Sequence, residues 1–177
     1  MKIAFVGTHG TGKTTLAHEL VMKLKKKGVD AGFMSEVARN CPFPINEETT
    51  RKSQVWIILS QIIKELEAEK HNDTIVSDRS VLDGYCYYVR KFGRAQFLEE
   101  LIKVHLKTYD YIIRVPIRKG FLIKDKVRST DEEFQKDVDK VFDRMLKEFK
   151  VKHIVLKEMQ TSSNKQIVES VLGTITR

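Results

Sequence analysis

Cysteine and proline are scarce in this sequence, with two and three copies in 177 residues. Cys41 and Cys86 are too few for a disulfide framework and lack the paired spacing of a zinc site, so both are expected to be reduced and packed. There is no low-complexity tract, internal repeat or linker, which argues against disorder and for a single domain spanning residues 1–177. No apolar run approaches the roughly 20 residues needed to cross a bilayer. The N-terminal apolar segment also runs straight into a glycine-rich loop instead of a signal-peptide cleavage site. The expectation is a cytoplasmic protein with no membrane partner. Charge, by contrast, is plentiful: 32% of residues are charged, and the formal net charge of +8 gives a pI near 9.4. A basic excess of this size suits an anionic partner, whether a nucleotide, a phosphorylated metabolite or a nucleic acid, and does not choose among them. The run Lys25-Lys26-Lys27 is read as the solvated end of a helix.

Short apolar runs alternate with longer segments of helical period, the pattern of a parallel sheet covered by helices. Strands are expected at 2–6, 29–35, 74–77, 109–115 and 152–156. Between them, a helix from Lys13 to Lys27 presents Leu16, Ala17, Leu20, Val21 and Leu24 on one face, and Gly28 ends it. A second helix carries Val55, Ile58, Leu59, Ile62, Ile63 and Leu66 on an apolar stripe. Helical period follows through Leu82, Tyr85 and Val89, again through Phe97, Leu101 and His105, and then through Phe134, Val138, Val141, Phe142, Met145 and Phe149. The last helix, from about Asn164, carries Ile167, Val168, Val171, Leu172 and Ile175. The basic stretch at about 117–130, between the fourth strand and the next helix, has the position of a small lid.

The run Gly7-Thr8-His9-Gly10-Thr11-Gly12-Lys13-Thr14 fits G-x-x-x-x-G-K-[ST] directly after an apolar strand and directly before an amphipathic helix, the context that motif requires. Its glycines let successive N–H groups converge on a phosphate, and the helix N-terminus adds its positive dipole end. Lys13 would bridge the β- and γ-phosphates of ATP. The Thr14 hydroxyl would coordinate magnesium, a cation that takes oxygen ligands and keeps several waters. Thr15 is counted with the nucleotide-binding residues, although its place also suits plain helix. Several nucleotide-binding classes are argued against by what is missing. There is no Asp-x-x-Gly switch, Asn164-Lys165-Gln166-Ile167 lacks the aspartate that reads guanine, and the third strand ends in Asp78-Arg79 instead of the Asp-Glu of a hydrolytic motor. A small kinase remains.

With Ser35-Glu36-Val37-Ala38-Arg39, Ser77-Asp78-Arg79-Ser80 and Asp125-Lys126-Val127-Arg128 following the phosphate loop in that order, the chain resembles P-loop small-molecule kinases. The nearest resemblance is to the AAA-like ATPase/kinase family that includes ribosylnicotinamide kinase domains, and a more distant one is to deoxynucleoside and thymidylate kinases. The resemblance implies a P-loop NTPase three-layer α/β sandwich, with helices on both faces of a five-stranded parallel sheet. It also implies ATP and magnesium as cofactors and a small nucleoside-, nucleotide- or riboside-like acceptor. Family members often have a glycine where Lys126 stands. By this resemblance Glu36 is the candidate base for the attacking hydroxyl, and Arg128 is the lid arginine that closes over the transferred phosphoryl group. Glu36 and Arg39 lie just past the second strand, at the sheet edge where α/β proteins place ligands, and both are candidates to reach the acceptor. Asp78 would hold a magnesium-bound water, and Arg79 would offer its planar fork to phosphate oxygens. Trp56 is a candidate to stack on an acceptor base, with Gln54 and Gln61 nearby in helical phase, against the blander reading of core packing. Asp83 is left without a role beyond capping or orienting its helix, and His9 and the tyrosines at 85, 87 and 88 show no spacing that implies chemistry. Two rivals stand beside this reading: a kinase of nucleic-acid 5′ hydroxyls, motivated by the basic charge, and a nucleotide-dependent ATPase switch.

Overall fold

The alternation of short apolar runs and amphipathic segments folds as the pattern demands. The computed structural model describes residues 1–118, 131–156 and 163–175. Its strands are β1 (Lys2–Val6), β2 (Ala31–Met34), β3 (Thr74–Asp78), β4 (Tyr111–Arg114) and β5 (Ile154–Val155), and the helices are α1 (Lys13–Lys26), α2 (Arg51–Ala68), α3 (Val81–Phe92), α4 (Gln96–Leu106), α5 (Glu132–Glu148) and α6 (Asn164–Ile175). Two short 3-10 turns, Val37–Asn40 and Asn46–Glu48, lie between β2 and α2. Among the described residues the strands form one parallel sheet in the order β2-β3-β1-β4-β5. Each parallel pair needs a crossover, and the helices supply it on both faces.

Alternation along β1 divides the core in two. Ile3 and Phe5 pack with Leu16, Leu20 and Leu24 of α1 and Val168 and Val171 of α6. Ala4 and Val6 point the other way, into a cluster of Leu82, Tyr85, Leu98, Ile102, Phe134 and Phe142. The sheet is thus the middle of three layers, as expected. β2, β4 and β5 are shorter than the apolar runs that signalled them.

Two helices turn differently from their apolar period. In α2 the buried face holds Ser53, Gln54, Ile57, Ile58, Gln61 and Glu65, whereas Leu59, Ile63 and Leu66 are exposed, Ile63 by 54%. The polar face is inward because partners wait there: Gln61 Nε2 reaches Ser77 Oγ at 3.1 Å, and Glu65 meets Lys2, His105 and Tyr109. In α4 the inward residues are Leu98, Ile102, His105 and Leu106, while Phe97 is 64% exposed. Cys86 is buried and Cys41 half-buried, both as free thiols.

Candidate functional site at the carboxyl edge of the sheet

β1 ends at Val6, and the chain then turns through Gly7, Gly10 and Gly12 at φ 145°, 67° and 87° before α1 begins at Lys13. These conformations disfavour a side chain. At Gly7 space also forbids one: a Cβ would lie 2.5 Å from the Val115 carbonyl oxygen. Thr8, His9, Thr11 and Lys13 are buried, Thr14 is half-buried and Thr15 is exposed. The Lys13 ammonium is folded back onto its own loop, donating to the Thr8 carbonyl at 2.5 Å and to Thr11 Oγ1 at 3.3 Å. Burial, with the nearby positive charge of Arg79, pulls the Lys13 pKa down to about 8. A buried ammonium at the start of a helix that follows a glycine-rich turn is a donor of the kind a polyphosphate needs.

The Thr14 hydroxyl donates to Asp78 Oδ2 at 2.6 Å, so the two predicted magnesium ligands meet across the β1–β3 pair. One hydroxyl, one carboxylate and water make an all-oxygen donor set, which suits magnesium and would satisfy few other metals. No cluster of three or more His, Cys, Asp or Glu side chains that could hold a metal occurs among the described residues.

Glu36 and Arg79, from different strands, are brought into contact. Arg79 Nε donates to Glu36 Oε1 at 2.5 Å with both side chains about nine-tenths buried, and Arg39 Nε donates to Oε2 at 3.2 Å. Burial opposes ionisation of Glu36, but Arg79, Lys13 and Arg39 together hold its carboxyl below the ordinary value. The i, i+3 pair of Arg39 with Glu36 therefore forms, and Arg39 lies at the rim of the site, its side chain 36% exposed.

A small cleft opens beside this pair and is lined by Glu36, Ile45, Gln54, Ile57, Arg79 and Tyr87 among others. Gln54 Nε2 donates to Thr49 at 2.7 Å, while its buried Oε1 has no hydrogen-bond partner among the described residues. Trp56 is half-buried and is not among the residues that line the cleft. Helical phase is the reason, since residues 54, 57, 58 and 61 share the inward face at i, i+3, i+4 and i+7, and position 56 falls outside that series. Arg128 and most of the expected lid lie outside the described residues. At the lid's start, Arg118 Nη1 donates to Asn164 Oδ1 at 3.0 Å.

Sequence reasoning passed over three residues that join the site. Asp83 is 1% exposed and accepts from the Gly7 N–H at 3.2 Å and the Ser80 N–H at 2.8 Å, with Arg79 Nη1 at 3.6 Å. It ties the phosphate loop to α3. Burial pushes its carboxyl up, against the pull of Arg79, Lys13 and those backbone donors. The spacing Ser80-x-x-Asp83 was the available signal, because it has the form of a capping box. The Tyr87 hydroxyl accepts from the His9 N–H at 3.2 Å and lies 2.9 Å from His9 Nδ1, and Gln135 Nε2 of α5 donates to the His9 carbonyl at 2.7 Å. Nothing local in sequence announces either contact.

Residues 2–162 match the AAA domain family. The chain is 26% identical over 199 aligned positions to the thymidylate kinase of Caldanaerobacter subterraneus subsp. tengcongensis, covering 96% of this chain and 93% of that protein. It is 26% identical over 126 positions to the adenylate kinase of Mycoplasma mycoides subsp. mycoides, where the match takes in 70% of this chain but spans little more than half, 56%, of the relative. The fold matches the deoxyadenosine kinase of M. mycoides, solved with the products dCMP and a flexible dCDP bound, at a TM-score of 0.71 and 21% identity over 99% of both chains.

Proposed function

The chain belongs to the AAA domain family, and on that footing we propose that it is an ATP- and magnesium-dependent phosphotransferase acting on a small nucleoside-, nucleotide- or riboside-like acceptor. The observation that carries this reading is Glu36: a buried carboxylate clasped by two arginines, on the wall of a cleft adjoining the phosphate loop. A protein that only hydrolyses ATP needs water at that place, and a cleft walled by an ionised carboxylate suits a second substrate whose hydroxyl it can accept from and orient.

In this reading Lys13 exchanges the Thr8 carbonyl for β- and γ-phosphate oxygens, and the N–H groups of residues 10–14 cradle the β-phosphate. Magnesium, held through the Thr14 hydroxyl and a water on Asp78, would neutralise charge on the phosphates. Arg79 presents its remaining N–H groups to the transferred phosphoryl group or to an acceptor phosphate. Glu36 uses two of its four lone-pair sites on arginines, which leaves others to accept the proton of an acceptor hydroxyl as the new O–P bond forms and ADP departs. An acceptor that is already a phosphate brings no such proton, and Glu36 then serves to aim Arg79. The unpartnered Gln54 Oε1 suits an N–H or O–H donor on the acceptor. The kinase names of the relatives support a nucleoside- or nucleotide-like acceptor. The role of Arg128 rests on its sequence motif alone, and Arg128→Ala is expected to lower kcat by about 10²-fold with little change in the Kd for ATP.

A screen of nucleosides, nucleotides, ribosides and 5′-hydroxyl oligonucleotides for acceptor-stimulated ADP release tests the proposal. Stimulation by one small-molecule class supports it. Stimulation by oligonucleotides alone moves the acceptor to nucleic acid, and ADP release that no acceptor changes points instead to a nucleotide-dependent switch.

A further inference from the structure

Among the described residues Arg79 is one of three non-glycine residues with positive φ, and its value of 93° is the largest of the three. An L side chain in this region is strained, and such strain persists only where the surroundings over-determine it. Here they do. The Arg79 N–H donates to the Phe5 carbonyl of β1 at 3.0 Å. Its carbonyl accepts from Ser77 Oγ at 2.6 Å and from Gln61 Nε2 at 3.2 Å, while the N–H on the far side of the same peptide plane, that of Ser80, donates to Asp83 at 2.8 Å. The two hydrogens of Gln61 Nε2 are shared among three acceptors, Glu65 Oε1 at 2.8 Å, Ser77 Oγ at 3.1 Å and the Arg79 carbonyl at 3.2 Å, and Glu65 is fully buried among Lys2 Nζ at 3.1 Å, His105 Nε2 at 2.7 Å and the Tyr109 hydroxyl at 2.5 Å. This polar ladder explains why α2 turns Gln61 and Glu65 inward beside Ile57 and Ile58 and leaves Leu59, Ile63 and Leu66 in solvent.

We propose that Gln61 is a positioning residue: acting with Ser77 on the Arg79 carbonyl, it locks the strained backbone that aims the guanidinium at Glu36. Glu36 lies two residues past the end of β2, the strand paired with β3, so the register carries it alongside Arg79, and the guanidinium closes the remaining gap with Nε 2.5 Å from Glu36 Oε1. Gln61 touches no substrate in this account. Its effect on turnover rests on the kinase reading above, but its effect on the Arg79–Glu36 pair does not.

The test separates the two. The groups facing Glu36 are Arg79 at the end of β3, Lys13 of α1 and Arg39 of the 3-10 turn, with Asp83 and Tyr87 of α3 behind Arg79. Carbon-13 NMR titration of the Glu36 carboxyl, assigned with Glu36→Gln, reads the Arg79 contact directly. In Gln61→Leu, which removes the amide but fills the space, the Glu36 midpoint is expected to rise by about one pH unit or more, as a carboxylate that loses an opposing charge does. Ile63→Ser, on the exposed face of the same helix, should leave it where it is in the parent protein. A folded Gln61→Leu with the parent midpoint overturns the proposal. If Gln61→Leu does not fold, Ser77→Ala removes the shorter bond to the same carbonyl and is read in the same way. A raised midpoint with at least a tenfold loss of acceptor-stimulated turnover and an unchanged Kd for ATP supports both readings. A raised midpoint with unchanged turnover upholds the positioning and overturns Glu36 as the base.

Discussion

Lys13 shows how a short motif stores its function. The ammonium rests on the Thr8 carbonyl, and its burial lowers its pKa to about 8. A polyphosphate restores the opposite charge and raises it again. The sign follows from linkage. Below pH 8 the free lysine is already protonated and ATP affinity should be flat, whereas above pH 8 binding must take up a proton and affinity should fall by up to tenfold per pH unit. Calorimetry between about pH 7 and 9.5, in buffers of different ionisation enthalpy, should show that proton uptake. In Lys13→Ala it should vanish, with turnover lower by about a hundredfold or more, the scale of a lost transition-state charge. Glu36→Gln keeps the size of the side chain and removes the base. Acceptor phosphorylation should drop by about 10²- to 10⁴-fold with the Kd for ATP nearly unchanged. A collapse of ATP binding in that variant would mean that Glu36 chiefly holds Arg79.

Among the elements, α2 departs most from its sequence pattern. Its apolar stripe correctly marked a helix, but periodicity reports which residues fall on one face and not what lies opposite that face. Glu65 carries no apolar signal, yet it is the residue that closes the contacts of Lys2, His105 and Tyr109 in the interior. Glu65→Ala should therefore cost about 3 kcal/mol or more, as removing one partner of a buried charge cluster does. Ile63→Ser should cost no more than about 0.5 kcal/mol, as for an exposed position. Urea denaturation of the two variants decides the matter, and equal costs would refute this orientation of the helix. α3 contributes through a small residue. A Cβ on Gly84 would lie 2.9 Å from Ile58 Cγ1 and 3.3 Å from Ile57 Cγ2, so this glycine sets how closely α2 and α3 approach along the wall of the cleft.

For the molecule as a whole, ATP bound by the folded chain alone must stabilise it. At a concentration about 100 times Kd the gain is about 2.7 kcal/mol, or roughly 5–10 °C in Tm for a domain of this size. A thermal-shift titration should show this in the parent protein and far less of it in Lys13→Ala, and a Tm indifferent to ATP would contradict the phosphate-loop assignment. The sequence by itself determined the features whose physics is local. The phosphate loop is eight consecutive residues whose glycines dictate the backbone path, and the alternation of strand and helix follows from apolar spacing. The Ser80–Asp83 cap was equally within its reach. Only the tertiary structure decided which side of α2 faces inward, that Trp56 stays out of the cleft while Gln54 enters it, and that Asp83, Tyr87 and Gln135 reach the phosphate loop. Those contacts join residues from 76 to 126 positions apart. A parallel sheet gathers the carboxyl ends of distant strands at one edge, and which side chains meet there depends on strand order, on register and on a strained φ at Arg79, none of which is a property of any short stretch of chain.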